Sequence, residues 1–297
     1  IEFEHGSTGR GGEVSVEFAY VELAPSPELG LRAGMLLVPM GFLNELHEPP
    51  IFHGAKRPDV EQAIVPSTWR ENGAGLFGEV GPLAWRAYVV SSLYSAGFTA
   101  AGIRGGRQSG ARSRSEDFAL TARADFTGLP GLLVGAAAFT GQTGQGVLVE
   151  GEAIDGRLTL LEAHAQYELR GLRLRALAAR STLSDVGLIN RSLQLTGNRS
   201  VGERQTGWYA EAAYDLMTLW PAGGWGVSPF VRYEKLDTQD RVPAGFVRDP
   251  ATDRRVVTAG VGVKPIANVV FKADYQWHRN QARTGTNQLN LAVGYLF

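Results

Sequence analysis

Almost everywhere in this chain, apolar residues recur at every second position. Phe118, Leu120, Ala122, Ala124 and Phe126 share one face, and Asp117, Ala119, Thr121, Arg123 and Asp125 the other. Leu161, Ala163, Ala165, Tyr167 and Leu169 likewise oppose Glu162, His164, Gln166, Glu168 and Arg170, and Phe271, Ala273, Tyr275 and Trp277 oppose Lys272, Asp274, Gln276 and His278. A period of two is the mark of a strand, whose side chains point alternately to opposite faces. The pattern predicts fourteen strands, at 1–6, 14–25, 30–41, 73–80, 83–92, 117–128, 131–141, 157–170, 173–183, 206–219, 226–238, 254–266, 269–281 and 287–297. Most have about the 9–11 residues that a tilted membrane strand needs.

The connections narrow the class. Short turns fall near Pro25–Leu29, Gly81-Pro82, Leu129-Pro130, Gly171-Leu172, Trp220–Trp225 and Ala267-Asn268. Longer loops fall at 7–13, 42–72, 93–116, 142–156, 184–205 and 239–253, with a small one at 282–286. Short and long alternate, as in an outer-membrane barrel with short periplasmic turns and long extracellular loops. A sandwich has no reason to sort its loops by end. So many strands leave a lumen too wide for side chains to fill, so the polar faces point to water inside and the apolar faces to lipid. Trp85, Trp208, Trp220, Trp225, Tyr275, Trp277 and Tyr295 are candidates for the interfacial aromatic girdles. The expected fold class is therefore all-β, a transmembrane antiparallel barrel filling 1–297 as one domain.

Composition removes other classes. The chain has no cysteine, so disulfides, thiolate zinc sites and a cysteine nucleophile are excluded. A formal charge of −1 gives no signal for nucleic acid. The uncharged stretch Phe126–Val149 carries Pro130 and six glycines, which no membrane helix would. No Gly-x-Ser-x-Gly elbow or Walker-type loop occurs. No catalytic residue, cofactor or metal is expected. His164, beside Glu162 and Gln166, reads as a hydrogen-bonding residue of the lumen.

Ile1 to His5 already alternate, so the chain is expected to start within a strand, with sequence missing before Ile1. At the other end, NQLNLAVGYLF (287–297) alternates to a final Phe, as expected where a closed barrel pairs its last strand with its first. This stretch also resembles the C-terminal strand that the barrel-insertion machinery reads, which assigns that role to Phe297, Tyr295, Val293 and Leu291.

GMLLVPMGFLNELHEPPIFHGAKRPDVEQAIVPSTWRENGAGLFG (34–78), with GIRGGRQ (102–108), ADFTGLPGLLVG (124–135) and SPFVRYEKLDT (228–238), resembles the phosphate-selective porin (O/P) family and related bacterial porins, over the whole chain. The resemblance implies a sixteen-stranded, usually trimeric outer-membrane channel for passive diffusion of small hydrophilic solutes or ions, with anions such as phosphate among the candidates. Its expected partners are the lipid bilayer, lipopolysaccharide and the insertion machinery. A non-conducting anchoring barrel and a lipid hydrolase stay open as alternatives. The longest loop, 42–72, is the candidate constriction, because Pro49, Pro50, Pro58 and Pro66 pre-order it at low entropic cost. The residues expected to set ion preference are His47, Glu48, Lys56, Arg57, Arg70, Glu71, Arg86 and Arg123. Arg104, Arg107, Arg112 and Arg114 read as a basic vestibule or a contact for lipopolysaccharide phosphates. Acids at least match bases on the polar faces, which describes a mixed-charge wall more than an anion ladder.

Overall fold

The computed structural model describes residues 2–4, 13–46, 48–110, 113–220 and 224–296, the backbone alone for 2–4 and 13–15. Thirteen strands form one antiparallel sheet in sequence order. They are β1 (Ala19–Ser26), β2 (Leu29–Leu37), β3 (Arg70–Val80), β4 (Leu83–Ser91), β5 (Phe118–Leu129), β6 (Leu132–Gly141), β7 (Leu158–Leu169), β8 (Leu172–Leu183), β9 (Arg204–Tyr214), β10 (Gly226–Arg241), β11 (Asp253–Ile266), β12 (Val269–Asn280) and β13 (Gln288–Tyr295). The strand expected over 1–6 stands apart from this sheet: Glu2–Glu4 pairs with Glu13–Ser15 in a separate hairpin. His47, Arg112 and Phe297 lie outside the described residues.

Local chemistry sets the strand ends. Arg170 and Gly171 both have positive φ, 46° and 86°, the geometry a two-residue hairpin needs between β7 and β8. β9 stops at Tyr214 rather than 219 because Asp215 caps a short 3₁₀ turn, accepting from Met217 N at 3.1 Å. β2 stops at Leu37 because Val38–Met40 turn off the sheet toward its inner side, all three fully buried.

The two faces are sorted the opposite way from a water-soluble protein. Leu120, Leu161, Val231 and Phe271 stand about half exposed on the outer face, while Arg232, Glu234, Lys272 and Asp274 are buried. Buried charges survive only when paired or hydrogen-bonded: Arg232 pairs with Glu234, Lys272 donates to Phe52 O and Gly54 O, and Asp274 accepts from Ala55 N and Asn290 Nδ2. From Phe271 to Trp277 the outward face of β12 climbs roughly 20 Å between two aromatic levels.

The enclosed side is zoned. Toward the long loops, Phe139, Leu158, Leu160, Leu177 and Leu236 pack with Ile64, Trp69, Phe98 and Ile103 in one apolar cluster. Toward the short turns, the inward positions are ionic. Among the described residues no helix is long and apolar enough to cross a membrane.

The outward face is testable. Val231→Arg places a charge in the apolar band and is expected to cost about 2–4 kcal/mol, read by urea unfolding in phospholipid vesicles.

Candidate functional site

The 42–72 segment turns inward at Gly41, whose φ is 68°. A Cβ there would also lie 2.5 Å from the Glu61 carboxylate, so glycine is required twice over. Asn44 ties the two ends of the segment together: its amide donates to Val38 O and Trp69 O at 2.6 and 2.8 Å and accepts from Trp69 N at 2.6 Å. Glu61, nearly fully buried, accepts from Phe42 N and Leu43 N at 2.8 Å each and from the Tyr209 hydroxyl of β9 at 2.6 Å. Burial pushes its carboxyl upward in pKa against the opposing effect of these donors.

From this base the segment meets wall after wall. Arg123 (β5) donates to Gly41 O, and Glu162 (β7) accepts from Gly41 N at 3.3 Å. Arg123 also holds Asp125 at 2.7 Å. His164 bridges Asp125 and Glu162 at 2.8 and 2.9 Å, with its side chain fully buried. On β10, Glu234 accepts from Val60 N at 3.2 Å while Arg232 pairs with Glu234 and Glu211. Lys264 (β11) donates to Pro50 O, and Lys272 (β12) to Phe52 O and Gly54 O, all within 2.8 Å. Lys56 reaches Gln288 of β13 at 2.6 Å. Strands from β4 to β13 therefore all face one inward segment, so the sheet curls around it as a barrel wall.

One stretch of wall keeps charge in contact with solvent. Glu45 of the inward segment meets Arg86 (β4) at 2.8 Å and Arg123 at 3.8 Å. Beside them Arg32 (β2) holds Glu22 (β1) at 2.6 Å. The side chains of Arg32, Glu45, Arg86 and Glu22 keep 20, 22, 29 and 36 % exposure, where Arg232 and Glu234 keep none. A carboxylate on the segment thus pairs directly with a wall guanidinium while both keep contact with solvent. On the short-turn side a cavity of about 510 Å³ follows, lined by His53, Arg173, Lys264, Lys272 and Asp215 among others.

The residues singled out in the sequence divide. Arg86 lies at the solvated pair with Glu45, and Arg123 is buried beside it. Lys56 is exposed near β13, and Arg57 donates to Ser67 Oγ at 3.4 Å. Arg70 opens β3. Glu71 is fully buried and accepts from Trp69 Nε1 and Gln108 N, so it props the segment's exit rather than facing a passage. Glu48 has one buried carboxylate oxygen without a partner among the described residues. Of the basic cluster, Arg104 and Arg107 turn onto the exit, donating to Ser67 O at 2.8 and 2.6 Å and both reaching Thr68 Oγ1. Burial lowers both pKa values, that of Arg107 to about 10 with help from Arg104 and Arg70. Arg114 stays exposed over the Tyr94 ring at 4.6 Å. Val293 and Leu291 of β13 point outward and are largely exposed, as is Tyr295. Glu61 and Asn44 were not singled out; an acid between Val60 and Ile64 was the available signal.

Among the described residues no group of three His, Asp or Glu side chains is placed to hold a metal.

No family model matches the chain. An uncharacterized protein of Aquifex aeolicus (strain VF5) is 33% identical over 308 residues, spanning 100% of this chain and 70% of that protein. Among solved structures, a loop-deleted form of OmpT, an outer membrane protein of Vibrio cholerae, superposes with a TM-score of 0.58 at 10% identity, covering 96% of this chain and 81% of that one. Salmonella typhi OmpF, in complex with daunomycin, gives 0.57 at 14% identity, covering 90% and 73%. The fold is that of a bacterial outer-membrane porin barrel.

Two measurements probe how the segment is seated. Glu61→Ala leaves two backbone donors and a buried hydroxyl unmet and is expected to cost about 2–5 kcal/mol, read as faster proteolysis within 42–72. His53 is half-buried against the Phe230 ring at 5.6 Å. Burial lowers its pKa to about 4, opposed by Glu211 and reinforced by Arg173, Arg175 and Lys272. A freed loop would bind that proton near 6.5, so His53 favours seating above pH 6.5, and this contribution is lost as pH falls toward 4. Proteolysis within 42–72 is expected to accelerate across that window in the wild type, with the His53 component absent in His53→Phe.

Proposed function

We propose that this chain, which belongs to one family with the Aquifex aeolicus protein, is an outer-membrane porin for passive diffusion of small hydrophilic solutes, with 42–72 as its constriction. The single observation that carries the reading is the Glu45–Arg86 pair, which joins the inward segment to the wall and keeps solvent contact inside the barrel. Fixed charges of both signs lining a solvated passage orient and filter dipolar and ionic solutes. Solutes would leave through the cavity lined by Arg173, Lys264 and Lys272. Whole-wall charge is balanced, so ion preference rests on the few solvated groups. Among these solvated groups Arg32 and Arg86 are matched by Glu22 and Glu45, so their count favours neither sign, and a preference for anions such as phosphate rests on the porin resemblance. The porin resemblance implies a homotrimer, and the insertion role of Tyr295, Val293 and Leu291 belongs to the same reading.

A second reading has its own support. The apolar cluster toward the long loops fills much of the lumen between β4 and β10, as a plugged, anchoring barrel would require.

Single-channel conductance in a planar bilayer under a KCl gradient separates the two. The porin reading expects steady conductance, a several-fold rise on removing residues 45–68, and a reversal potential that moves toward cations in Arg86→Gln and toward anions in Glu45→Gln. A folded barrel silent in both the full-length and loop-deleted forms establishes the plugged one.

A further inference from the structure

On β10, β11 and β12 three bases stand side by side on the outward face. Lys235 is directly opposite Arg255, and Arg255 directly opposite Arg279. All three are exposed. Neighbouring strands lie about 4.8 Å apart, so the row spans roughly 10 Å. Like charges set directly opposite one another repel. Among the described residues no carboxylate forms an ion pair with any of them, whereas inward-facing bases such as Arg123 and Arg232 are paired.

The surroundings say what would answer this charge. The row sits at the long-loop end of the strands. Two residues toward the short turns, the same ladder carries Tyr233, Val257 and Trp277, and Trp208 lies opposite Lys235 on β9. A base row directly above an aromatic and apolar row reproduces the order of a lipid interface, phosphate above acyl chain. A pocket of about 230 Å³ opens beside Arg255 and Arg279, with Arg283 also lining it. Its one carboxylate, Asp253, accepts from Gln281 Nε2 at 2.6 Å. Arg279 spends one nitrogen on His278 O and Asn287 Oδ1, at 3.0 and 3.1 Å, and keeps its other donors.

We propose that Lys235, Arg255 and Arg279 form a binding site for the phosphates of an outer-leaflet glycolipid headgroup. The site rests on the outer-membrane reading above and is separate from the basic loop cluster, whose Arg104 and Arg107 are committed to Ser67 and Thr68.

The test titrates the folded barrel in detergent micelles with diphosphorylated lipid A, its dephosphorylated counterpart and inorganic phosphate, reading bound lipid by native mass spectrometry. The wild type is expected to take up lipid A in preference to the dephosphorylated form. The triple variant Lys235→Ser/Arg255→Ser/Arg279→Ser is expected to bind at least roughly tenfold more weakly, with single-channel conductance unchanged. Arg255→Gln alone is expected to weaken binding several-fold, which keeps the test available if the triple variant does not fold. Equal lipid A binding by wild type and variants overturns the site, as does equal uptake of the dephosphorylated lipid. Full competition by inorganic phosphate at matched concentration assigns the bases to a free ion and overturns the headgroup. A chain that inserts into no bilayer overturns the membrane reading itself.

Discussion

A charge taken out of water must be met by another charge or by donors aimed at it, and the interior of this barrel is organised by that requirement. Glu61 is the clearest instance. Buried in an apolar stretch, its carboxylate is met by two backbone amides and a tyrosine hydroxyl. Those three contacts fix where the inward segment bends, and the bend fixes which carbonyls face Arg232, Lys264 and Lys272. The wall bases then bind the segment's backbone in place of water. The wall acids do the same for its amides: Glu162 at Gly41, Glu234 at Val60, Asp274 at Ala55. A segment with little regular structure of its own is held because wall and segment complete each other's hydrogen bonding.

The same requirement sorts the wall. Ionic pairs sit level with the segment's polar backbone. Apolar packing takes over toward the long loops, where Trp69 and Ile64 replace backbone carbonyls as the neighbours of inward positions. Solvent keeps contact with charge near Arg32, Glu45 and Arg86, at the Arg254–Asp59 pair and in the cavity beside Arg173 and Lys264.

Much of the architecture was legible in the alternation. Strands such as Phe118–Leu129 and Val269–Asn280 fall within a residue or two of their expected bounds, because a face of Leu, Ala and aromatics has only one way to lie against lipid. Length and prolines mark 42–72 as the loop to watch, but its inward course was an expectation of the porin resemblance. The pairing inside was not legible. Arg123 meets Asp125 two positions away, which spacing allows, but Tyr209 meets Glu61 across 148 residues, and only register decides such a meeting. The apolar cluster was missed for a related reason: Leu158 and Leu177 lie on faces that alternation marks as polar further along the same strands, at Glu162 and His164 and at Arg173 and Arg175. Arg104 and Arg107 read as part of a basic vestibule or a lipopolysaccharide contact because nothing local shows that Ser67 and Thr68 present oxygens to them.

The inward segment also imposes an order of events. Its partners are spread along nearly the whole chain, from Arg86 to Gln288, the latter 232 residues from Lys56. Contacts at such separation close loops whose entropy must be met before any gain is returned. The segment's full set of contacts therefore forms only once the last strand has joined the sheet, although Glu61 and Arg232 find their partners on earlier elements. Short of that point the proline-rich stretch is expected to be more open to proteases. Seating of 42–72 thus reports that assembly is complete: an intermediate arrested short of β13 would present this stretch for degradation, and a finished barrel would hide it.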